Sequence, residues 1–195
     1  IFGGTFDPIH IGHIHIAYQT LYSLNLDKIL FIPAGNPPNK INNQITDAKT
    51  RYELVSKAIE NEKSFEISEY ELNKKENSYS YETVEFFGKL ESKTEWYFLI
   101  GADSLMDLDN WKNVGRLLSS CRLVVYSRAG FEIEKVIKQK KHLENKFHNK
   151  ITFLDMPIID ISSTSIRKSI KAGRNINYLL PKGVDTIVEE LQLYK

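Results

Sequence analysis

The hydrophobic positions of this chain follow two different spacings along its length. Short apolar runs rich in β-branched and aromatic residues indicate strands, and longer stretches with apolar residues every three or four positions indicate helices. The predicted strands cover 28–33, 65–68, 96–101, 122–127 and 151–154, and residues 1–2 are expected to end a further strand. The predicted helices cover 12–24, 47–60, 80–90, 132–145 and 185–193, the second with Asp47 as its N-cap.

The alternation of strands and helices is typical of βαβ units and a parallel sheet. The strands are mostly continuous apolar runs, which is expected when helices cover both faces of a sheet. We therefore expect an α/β fold: a single Rossmann-like domain over residues 1–195, with a mostly parallel sheet, helices on both faces and a small C-terminal helical segment. The sequence opens at Ile1 without a methionine and runs directly into a glycine turn, so we expect most of the first strand to be missing.

Composition narrows the classes of function. The chain has 26 basic and 25 acidic residues and a net charge of +1, which argues against a nucleic-acid binder that relies on bulk charge. No apolar stretch approaches the roughly 20 residues needed to span a bilayer, and no signal peptide is visible, so we expect a cytoplasmic protein with no membrane partner. The single cysteine, Cys121, precedes the apolar run 123–126 and is interpreted as a buried structural thiol.

Residues 3–13 read GGTFDPIHIGH and lie between a predicted strand and a predicted helix. Paired glycines allow a sharp turn and let a phosphate approach main-chain amides. The helix that follows directs its free N–H groups and positive dipole end to the same place. His10 and His13 are three positions apart and can face the same side, where two imidazoles can donate hydrogen bonds to phosphate oxygens.

Other interpretations of this motif stay open on the residues alone. The glycines can form an ordinary turn, and a histidine is more often structural than functional. Histidines at 10, 13 and 15 could hold a metal, but no cysteine or carboxylate stands at ligand spacing nearby, and His15 should point away from the other two. The motif is neither a Walker A loop nor a GxGxxG fingerprint.

A second motif, ISSTSIR, occupies residues 161–167. A cluster of hydroxyl groups before a helical pattern is a capping sequence, and its free amides suit a second phosphate-binding helix start. Arg167 adds a permanent charge and a two-pronged donor for phosphate oxygens. Taken in isolation, the motif is equally an ordinary N-cap beside an arginine that faces solvent.

The two motifs together resemble a known family. GGTFDPIHIGH is similar to the (T/S)FDPIHxGH signature of the HxGH nucleotidylyltransferase superfamily, and ISSTSIR is similar to its second signature, ISSTxIR, in the same order. The first is closest to the wording found in bacterial nicotinate-mononucleotide adenylyltransferases, which make deamido-NAD and pyrophosphate from ATP and nicotinate mononucleotide. The resemblance implies that His10, His13 and Arg167 are the catalytic residues and that they bind the phosphates of ATP.

Further segments resemble the nicotinate branch of the superfamily. PPNK at 37–40 is similar to PPHK or PPHR, with Asn39 in place of the histidine. SYSYET at 78–83 is similar to SYTxDT, and 101–112 is similar to GxDSLxxLxxW. The resemblance implies that Asp103 meets the ATP ribose. Ser80 capping a helix and Trp111 filling a core are the ordinary alternatives to the roles that the family suggests.

The implied sites divide between two substrates. The candidate ATP-binding residues are Gly3, Gly4, Thr5, Phe6, His10, His13, Gly101, Asp103, Ile161, Ser162, Thr164 and Arg167. The candidate acceptor-binding residues are Lys40, which approaches phosphate, Ser80, which helps to hold the nicotinate ring and its carboxylate, Trp111, which stacks on the pyridine ring, and Arg128. The expected cofactor is Mg²⁺, carried by the ATP phosphates with no ligand from the protein.

Three alternative functions remain beside nicotinate-nucleotide adenylyl transfer. The first is another adenylyltransferase of the superfamily, with nicotinamide mononucleotide or phosphopantetheine as the acceptor. The second is a nucleotide-binding module without turnover, and the third is a metal-dependent hydrolase built on the histidines. The expected partners are ATP and nicotinate mononucleotide, and the sequence gives no indication of the oligomeric state.

Overall fold

The computed structural model describes residues 1–36, 45–74, 76–127, 132–157 and 159–195. The strands are β1 Phe2–Gly4, β2 Ile29–Pro33, β3 Phe65–Ile67, β4 Tyr97–Gly101, β5 Arg122–Tyr126 and β6 Ile151–Leu154. The helices are α1 Ile11–Ser23, α2 Ala48–Ile59, α3 Ser80–Leu90, α4 Ala102–Asp107, α5 Val114–Ser120, α6 Ile133–Phe147, α7 Ser163–Lys171 and α8 Val184–Glu190. Short 3₁₀ segments cover Leu108–Asn110 and Asn177–Leu179.

The strands form a six-stranded sheet in the order β3-β2-β1-β4-β5-β6. The pairs β2–β3, β1–β4, β4–β5 and β5–β6 are all parallel. This is the strand order of the Rossmann fold, in which ligands bind outside the carboxyl ends of the strands where the order reverses. The predicted α/β class is thus confirmed, and β1, which ends at Gly4, is the strand at which the order reverses.

The chain divides into two compact units. The first unit consists of residues 1–3 and 78–159. Helix α3 packs against α5, and α4 packs against α6 and β4. The core of this first unit includes three consecutive residues of β5, Leu123, Val124 and Val125, each of which is completely buried. Burial of successive residues means that both faces of this strand are covered, as its continuous apolar pattern predicts.

The second unit consists of residues 4–77 and 160–195. Helix α2 packs against β2, β3 and α8. The predicted N-cap of α2 is confirmed, because the Oδ1 atom of Asp47 accepts a hydrogen bond from the Thr50 amide at 2.9 Å. The C-terminal helical segment is α8, which begins at Val184.

Apart from shifts of a few residues at element ends, such as α8 ending at Glu190 and not at 193, three differences from the predicted elements stand out. Gly3 and Gly4 belong to β1, whereas the sequence placed the turn at the glycines. Helices α4 and α5 were not predicted, because six and seven residues contain too few turns to give a clear period. Helix α6 continues to Phe147 and ends where His148 adopts a left-handed conformation with φ of 52°.

Candidate active site

The turn after β1 begins at Thr5 and carries the first motif into α1. Phe6 has a φ of 50°, and the bond between Asp7 and Pro8 is cis. A Cβ atom added at Gly4 would lie 2.9 Å from the Phe6 ring, so this ring can fold back over the strand end only because Gly4 has no side chain. Gly4 therefore allows the Phe6 ring to pack closely against the end of β1, and the turn comes after Gly4.

The structure brings His10 and His13 together at the start of α1. Their ring centroids are 3.7 Å apart, and the His10 backbone N–H donates to Nδ1 of His13 at 3.2 Å. Because Nδ1 of His13 accepts this bond, the neutral ring carries its proton on Nε2. Both side chains are largely buried. The edge of Phe6 packs against His13 with centroids 5.0 Å apart, which further limits the orientation of the pair.

Gly12 makes room for the His10 ring. A Cβ atom at Gly12 would lie 2.9 Å from His10 Nδ1 and 3.8 Å from Ile161 Cβ. Real Cβ atoms essentially never approach a heavy atom as closely as the first distance, so any larger residue would displace the ring. Ile161, a candidate from the second motif, is thereby also located beside α1.

The second motif docks on the first. Ser162 caps α7 and accepts a hydrogen bond from the Ser165 amide at 3.1 Å. The hydroxyl of Ser163 donates to the Pro8 carbonyl at 2.9 Å. Hydrogen bonds therefore join two sequence segments that lie about 155 residues apart, and the start of α7 is held against the turn that precedes α1.

Arg167 completes this connection. Its Nη1 donates to the Asp7 carbonyl at 2.6 Å and lies 3.9 Å from Oδ2 of the same residue. Its Nη2 lies at the limit of hydrogen bonding, 3.5 Å, from the hydroxyl of Thr164, which is exposed. The phosphate-binding candidates His10, His13, Thr164 and Arg167 thus belong to one unit, and their segments are joined by direct hydrogen bonds.

Arg51 is a structurally central residue that sequence reasoning missed. It lies on α2, its side chain is 1% exposed, and burial lowers its pKa. Its guanidinium donates to the carbonyls of Thr46 at 2.8 Å, Thr5 at 2.8 Å, Ala34 at 2.6 Å and Gly35 at 3.2 Å. Arg51 therefore joins the turn after β1 to the end of β2. No local signal marks it, because most of its partners come from two distant parts of the chain, Thr5 and residues 34–35.

The remaining described candidates lie in the first unit. Gly101 ends β4, and Asp103 follows in the first turn of α4, where it is exposed. A side chain at Gly101 would collide with the Asp103 carboxylate, so the glycine permits this carboxylate to fold back toward the strand end. Asp103 thus lies at the carboxyl end of β4, as the motif predicted.

Ser80 and Trp111 lie on segments that contact each other through their neighbours. Ser80 is the first residue of α3, and Tyr79 is the N-cap, so the alternative that Ser80 caps the helix is wrong. Trp111 is half-buried at the end of a 3₁₀ segment. The Nζ atom of Lys112 lies 4.3 Å from the centroid of the Tyr79 ring. This cation–π contact brings the two segments together, and sequence spacing does not reveal it.

Comparison with known proteins gives a consistent result. A model of the cytidylyltransferase-like family matches residues 1–169. The chain belongs to this family. Two relatives named probable nicotinate-nucleotide adenylyltransferase, from Clostridium novyi and Clostridium kluyveri, are each 54% identical to it, over 195 and 198 residues. Each alignment covers 100% of this chain and 98% of the relative. The resemblance that the motifs indicated is therefore confirmed.

Solved structures show the same fold at lower identity. The Plasmodium falciparum nicotinic acid mononucleotide adenylyltransferase complexed with NaAD has a TM-score of 0.79 at 20% identity, and the match covers 99% of this chain and 95% of that one. A putative nicotinate-nucleotide adenylyltransferase from Vibrio parahaemolyticus has a TM-score of 0.69 at 17% identity, covering 99% and 92%. At identities this low, the similarity shows that the chains share a fold and shows nothing about their function.

Two acceptor-side candidates lie outside the described residues. Lys40, with the PPNK segment that contains it, falls within 37–44, and Arg128 falls within 128–131. The roles that the family resemblance gives them stay predictions.

Cys121, the possible metal clusters and the possible membrane spans complete the description of this chain. Burial raises the pKa of Cys121 to about 12, and its Sγ contacts the Leu117 carbonyl at 3.3 Å, which agrees with a structural thiol. Within the described ranges, no three His, Cys, Asp or Glu side chains cluster closely enough to hold a metal ion. No helix among those same residues is both long and apolar enough to cross a membrane.

Proposed function

We propose that this chain transfers the adenylyl group of ATP to nicotinate mononucleotide, giving deamido-NAD and pyrophosphate. The observation that carries the proposal is the docking of the second motif on the first, through Ser163 to Pro8 and Arg167 to Asp7. This docking holds the start of α7 and the Arg167 guanidinium against the turn that leads into the two imidazoles and the start of α1. Such a set of positive groups and N–H donors suits a polyphosphate.

The family and the relatives support the same reaction. A nucleotidyltransferase uses a nucleoside triphosphate as donor, and the relatives with 54% identity over the whole chain are named for nicotinate nucleotide as the acceptor. Phosphopantetheine or nicotinamide mononucleotide as the acceptor would keep the ATP site and change only the residues that hold the second substrate.

The proposed chemistry is an in-line displacement at the α-phosphorus of ATP. The phosphate of nicotinate mononucleotide is already largely ionised at neutral pH, so the nucleophile needs no general base. Catalysis then depends on orientation and on stabilisation of the charge that develops. His10 and His13 donate to the α- and β-phosphates, and Arg167 with Thr164 binds the β- and γ-phosphates. The bond between the α-phosphorus and the oxygen that bridges to the β-phosphate breaks, and pyrophosphate leaves with its charge stabilised by the groups that bind the β- and γ-phosphates.

The other candidate residues complete the two sites. In this proposal the turn after β1, the start of α7 and Asp103 hold the rest of ATP, with the Asp103 carboxylate on the ribose. Ser80 holds the nicotinate carboxylate, Trp111 stacks on the pyridine ring, and Lys40 offsets the repulsion between the two anionic substrates. Arg128 stays a further candidate on the acceptor side.

In this proposal Mg²⁺ is bound to the ATP phosphates and enters the site together with ATP. The two motifs supply N–H groups and a guanidinium, which suit anions, and their one carboxylate, Asp7, already accepts a hydrogen bond from Tyr194. A divalent ion therefore fits here as part of the ATP complex, held by phosphate oxygens and water, and it would neutralise phosphate charge. The proposal treats the whole chain, residues 1–195, as one nucleotidyltransferase domain, and it places the enzyme in the cytosol, where ATP is abundant.

The test is pyrophosphate release from ATP and Mg²⁺ with each acceptor offered separately. We expect release with nicotinate mononucleotide to exceed release with nicotinamide mononucleotide and phosphopantetheine. Release with phosphopantetheine alone would contradict the acceptor while keeping the chemistry. Measurable ATP binding without release for any of the three would identify a nucleotide-binding module instead. Stoichiometric zinc in the purified protein would support the hydrolase alternative.

A further inference from the structure

Asp7 lies in the first motif, and its carboxylate has two neighbours of different kinds. The side chain is almost fully buried, with 4% of its surface exposed. The hydroxyl of Tyr194 donates to Oδ1 at 2.8 Å, whereas Nη1 of Arg167 lies 3.9 Å from Oδ2. The shorter contact of Arg167 is with the Asp7 backbone carbonyl, at 2.6 Å. The tyrosine and the arginine thus approach different oxygens of the same carboxylate.

Tyr194 is held in this position from two directions. The chain after α8 folds back on itself, because the Leu193 amide donates to the Val188 carbonyl at 3.0 Å. The Thr46 side chain also forms a hydrogen bond with the Tyr194 hydroxyl. The Thr46 carbonyl in turn accepts a hydrogen bond from Arg51 at 2.8 Å. Tyr194 therefore belongs to the same buried network that joins the turn after β1 to α2.

A buried carboxylate requires donors, and a guanidinium is the strongest donor within reach of Asp7. A paired, two-pronged contact between Arg167 and this carboxylate would turn the guanidinium away from any bound phosphate. The Tyr194 hydroxyl already satisfies one carboxylate oxygen. Burial raises the pKa of Tyr194, so the hydroxyl keeps its proton at neutral pH and remains a donor.

We propose that Tyr194 is a positioning residue for adenylyl transfer: its hydrogen bond to the Asp7 carboxylate keeps the Arg167 guanidinium directed at the phosphates of ATP. This inference rests on the proposed function in assigning Arg167 to phosphate. Tyr194 touches neither substrate in this arrangement and acts only through Asp7 and Arg167. The C-terminal segment thereby contributes to the ATP site, and neither sequence motif includes it.

The first test is the substitution Tyr194→Phe, which removes the hydroxyl and keeps the ring. We expect kcat/KM for ATP to fall about tenfold, as expected for the loss of one hydrogen bond to a charged group. KM for nicotinate mononucleotide should stay unchanged. Tyr178→Phe is the matched control, because Tyr178 is in the same unit and 73% exposed, and it should equal the parent enzyme.

A double-mutant cycle separates positioning from a general structural effect. If Tyr194 acts through Arg167, then Tyr194→Phe should cost less than about twofold in a protein that already carries Arg167→Ala. A tenfold loss in both backgrounds would overturn the proposal, since the hydroxyl would then act independently of the arginine. Parent-like kinetics of the single Tyr194→Phe variant would overturn it too.

The same four proteins are then compared by their affinity for ATP, which titration calorimetry measures without an acceptor present. The proposal predicts that Tyr194→Phe weakens ATP binding in the parent protein and has no further effect on ATP binding in the Arg167→Ala variant. This result would support the role of Tyr194 even if nicotinate mononucleotide is not the acceptor. Normal turnover together with equal ATP affinity in the parent and Tyr194→Phe would reject this role and leave the proposed function intact. Failure of the parent protein to bind ATP would reject both.

Discussion

The two units of this protein organise their candidate residues in different ways. In the second unit hydrogen bonds join the segments that carry the candidates: Ser163 to the Pro8 carbonyl, Arg167 to the Asp7 carbonyl, and His10 to His13. In the first unit the candidates lie on separate elements. Ser80 and Trp111 belong to segments that contact each other through the Lys112 ammonium and the Tyr79 ring.

This difference matches the chemistry proposed for each unit. Charge that develops in a transition state is stabilised only by donors that are already in place, because reorientation during the reaction costs free energy. A stacking residue makes contact with a ring in the ground state as well, and it tolerates small displacements. Changes at the paired histidines of the second unit should therefore mainly lower kcat, and changes at the acceptor residues of the first unit should mainly raise KM.

The largest effect is expected at the paired histidines. Replacing His10 or His13 by asparagine should lower kcat by about 100- to 1000-fold, the usual cost of removing one preorganised donor. ATP affinity should change much less, because the imidazoles act mainly in the transition state. Steady-state kinetics with ATP and nicotinate mononucleotide measure both parameters. Equal losses in kcat and ATP affinity would mean that the histidines bind the ground state to the same extent.

Arg51 tests whether the second unit depends on its buried network. Arg51→Met should lower the free energy of unfolding by about 3 kcal/mol, because buried carbonyl groups lose the guanidinium donor. Arg116→Met is the control in the first unit, where an exposed guanidinium pairs with Glu85, and it should lower the free energy of unfolding far less than Arg51→Met does. Urea unfolding measures both variants. A similar small cost at both positions would remove the contrast between the two units.

Arg51 also shows why part of this site could not be predicted from sequence. The pairing of His10 with His13 follows from a local spacing, and it is visible in the sequence. The N-cap at Asp47 is equally local. Arg51 instead contacts carbonyls from distant segments, and nothing in a helical pattern distinguishes it from a surface arginine. Tyr194 is hidden for the same reason, since its partner Asp7 lies 187 positions away.

The fold was more accessible than the site, for a physical reason. The order of apolar runs and helical periods predicted a parallel α/β sheet, because each element must bury a face with its own period. The turn at Phe6 was not predicted, since a positive φ in a residue that is not glycine depends on the close approach that Gly4 permits. The two motifs indicated phosphate binding, but the hydrogen bonds that join them appear only in three dimensions.

Gly12 tests the packing of His10 and has a matched control in the other unit. Gly12→Ala should lower kcat by about 10- to 100-fold, because the added Cβ displaces the His10 ring. Gly88→Ala on α3 should leave kcat unchanged and stabilise the protein by about 0.5–1 kcal/mol, since no heavy atom lies within 4 Å of the added Cβ. Kinetics and thermal unfolding distinguish the two. Normal turnover in Gly12→Ala would show that the position of the ring is not critical.

Trp111 tests the acceptor side. Trp111→Ala should raise KM for nicotinate mononucleotide by about tenfold, the approximate value of one stacking contact, with little change in ATP affinity. Initial rates at varied acceptor concentration measure this effect, and the KM for ATP in the same assays is the internal control. A loss confined to kcat would indicate instead that the first unit, like the second, is organised for the transition state.

The smallest effect is expected at the helix caps, and it depends on pH. Hydrogen bonds from the Thr50 hydroxyl and amide lower the pKa of Asp47 below its usual value of 3.8. Asp47→Ala should therefore reduce stability by about 1 kcal/mol at pH 7. A lowered pKa in the folded state means that this contribution is present above the unfolded pKa and is lost as pH falls through the folded pKa. The difference from the parent should thus shrink in urea unfolding below about pH 4.

Ser162→Ala provides the contrast within the second unit. Ser162 caps α7 with a hydroxyl that does not titrate, so its loss should cost about 1 kcal/mol at every pH. It should also raise KM for ATP, because α7 begins at the proposed phosphate site, whereas Asp47→Ala should leave that KM unchanged. If both variants change only stability, Ser162 is an ordinary cap, and phosphate binding depends on Arg167 and the histidines without the start of α7.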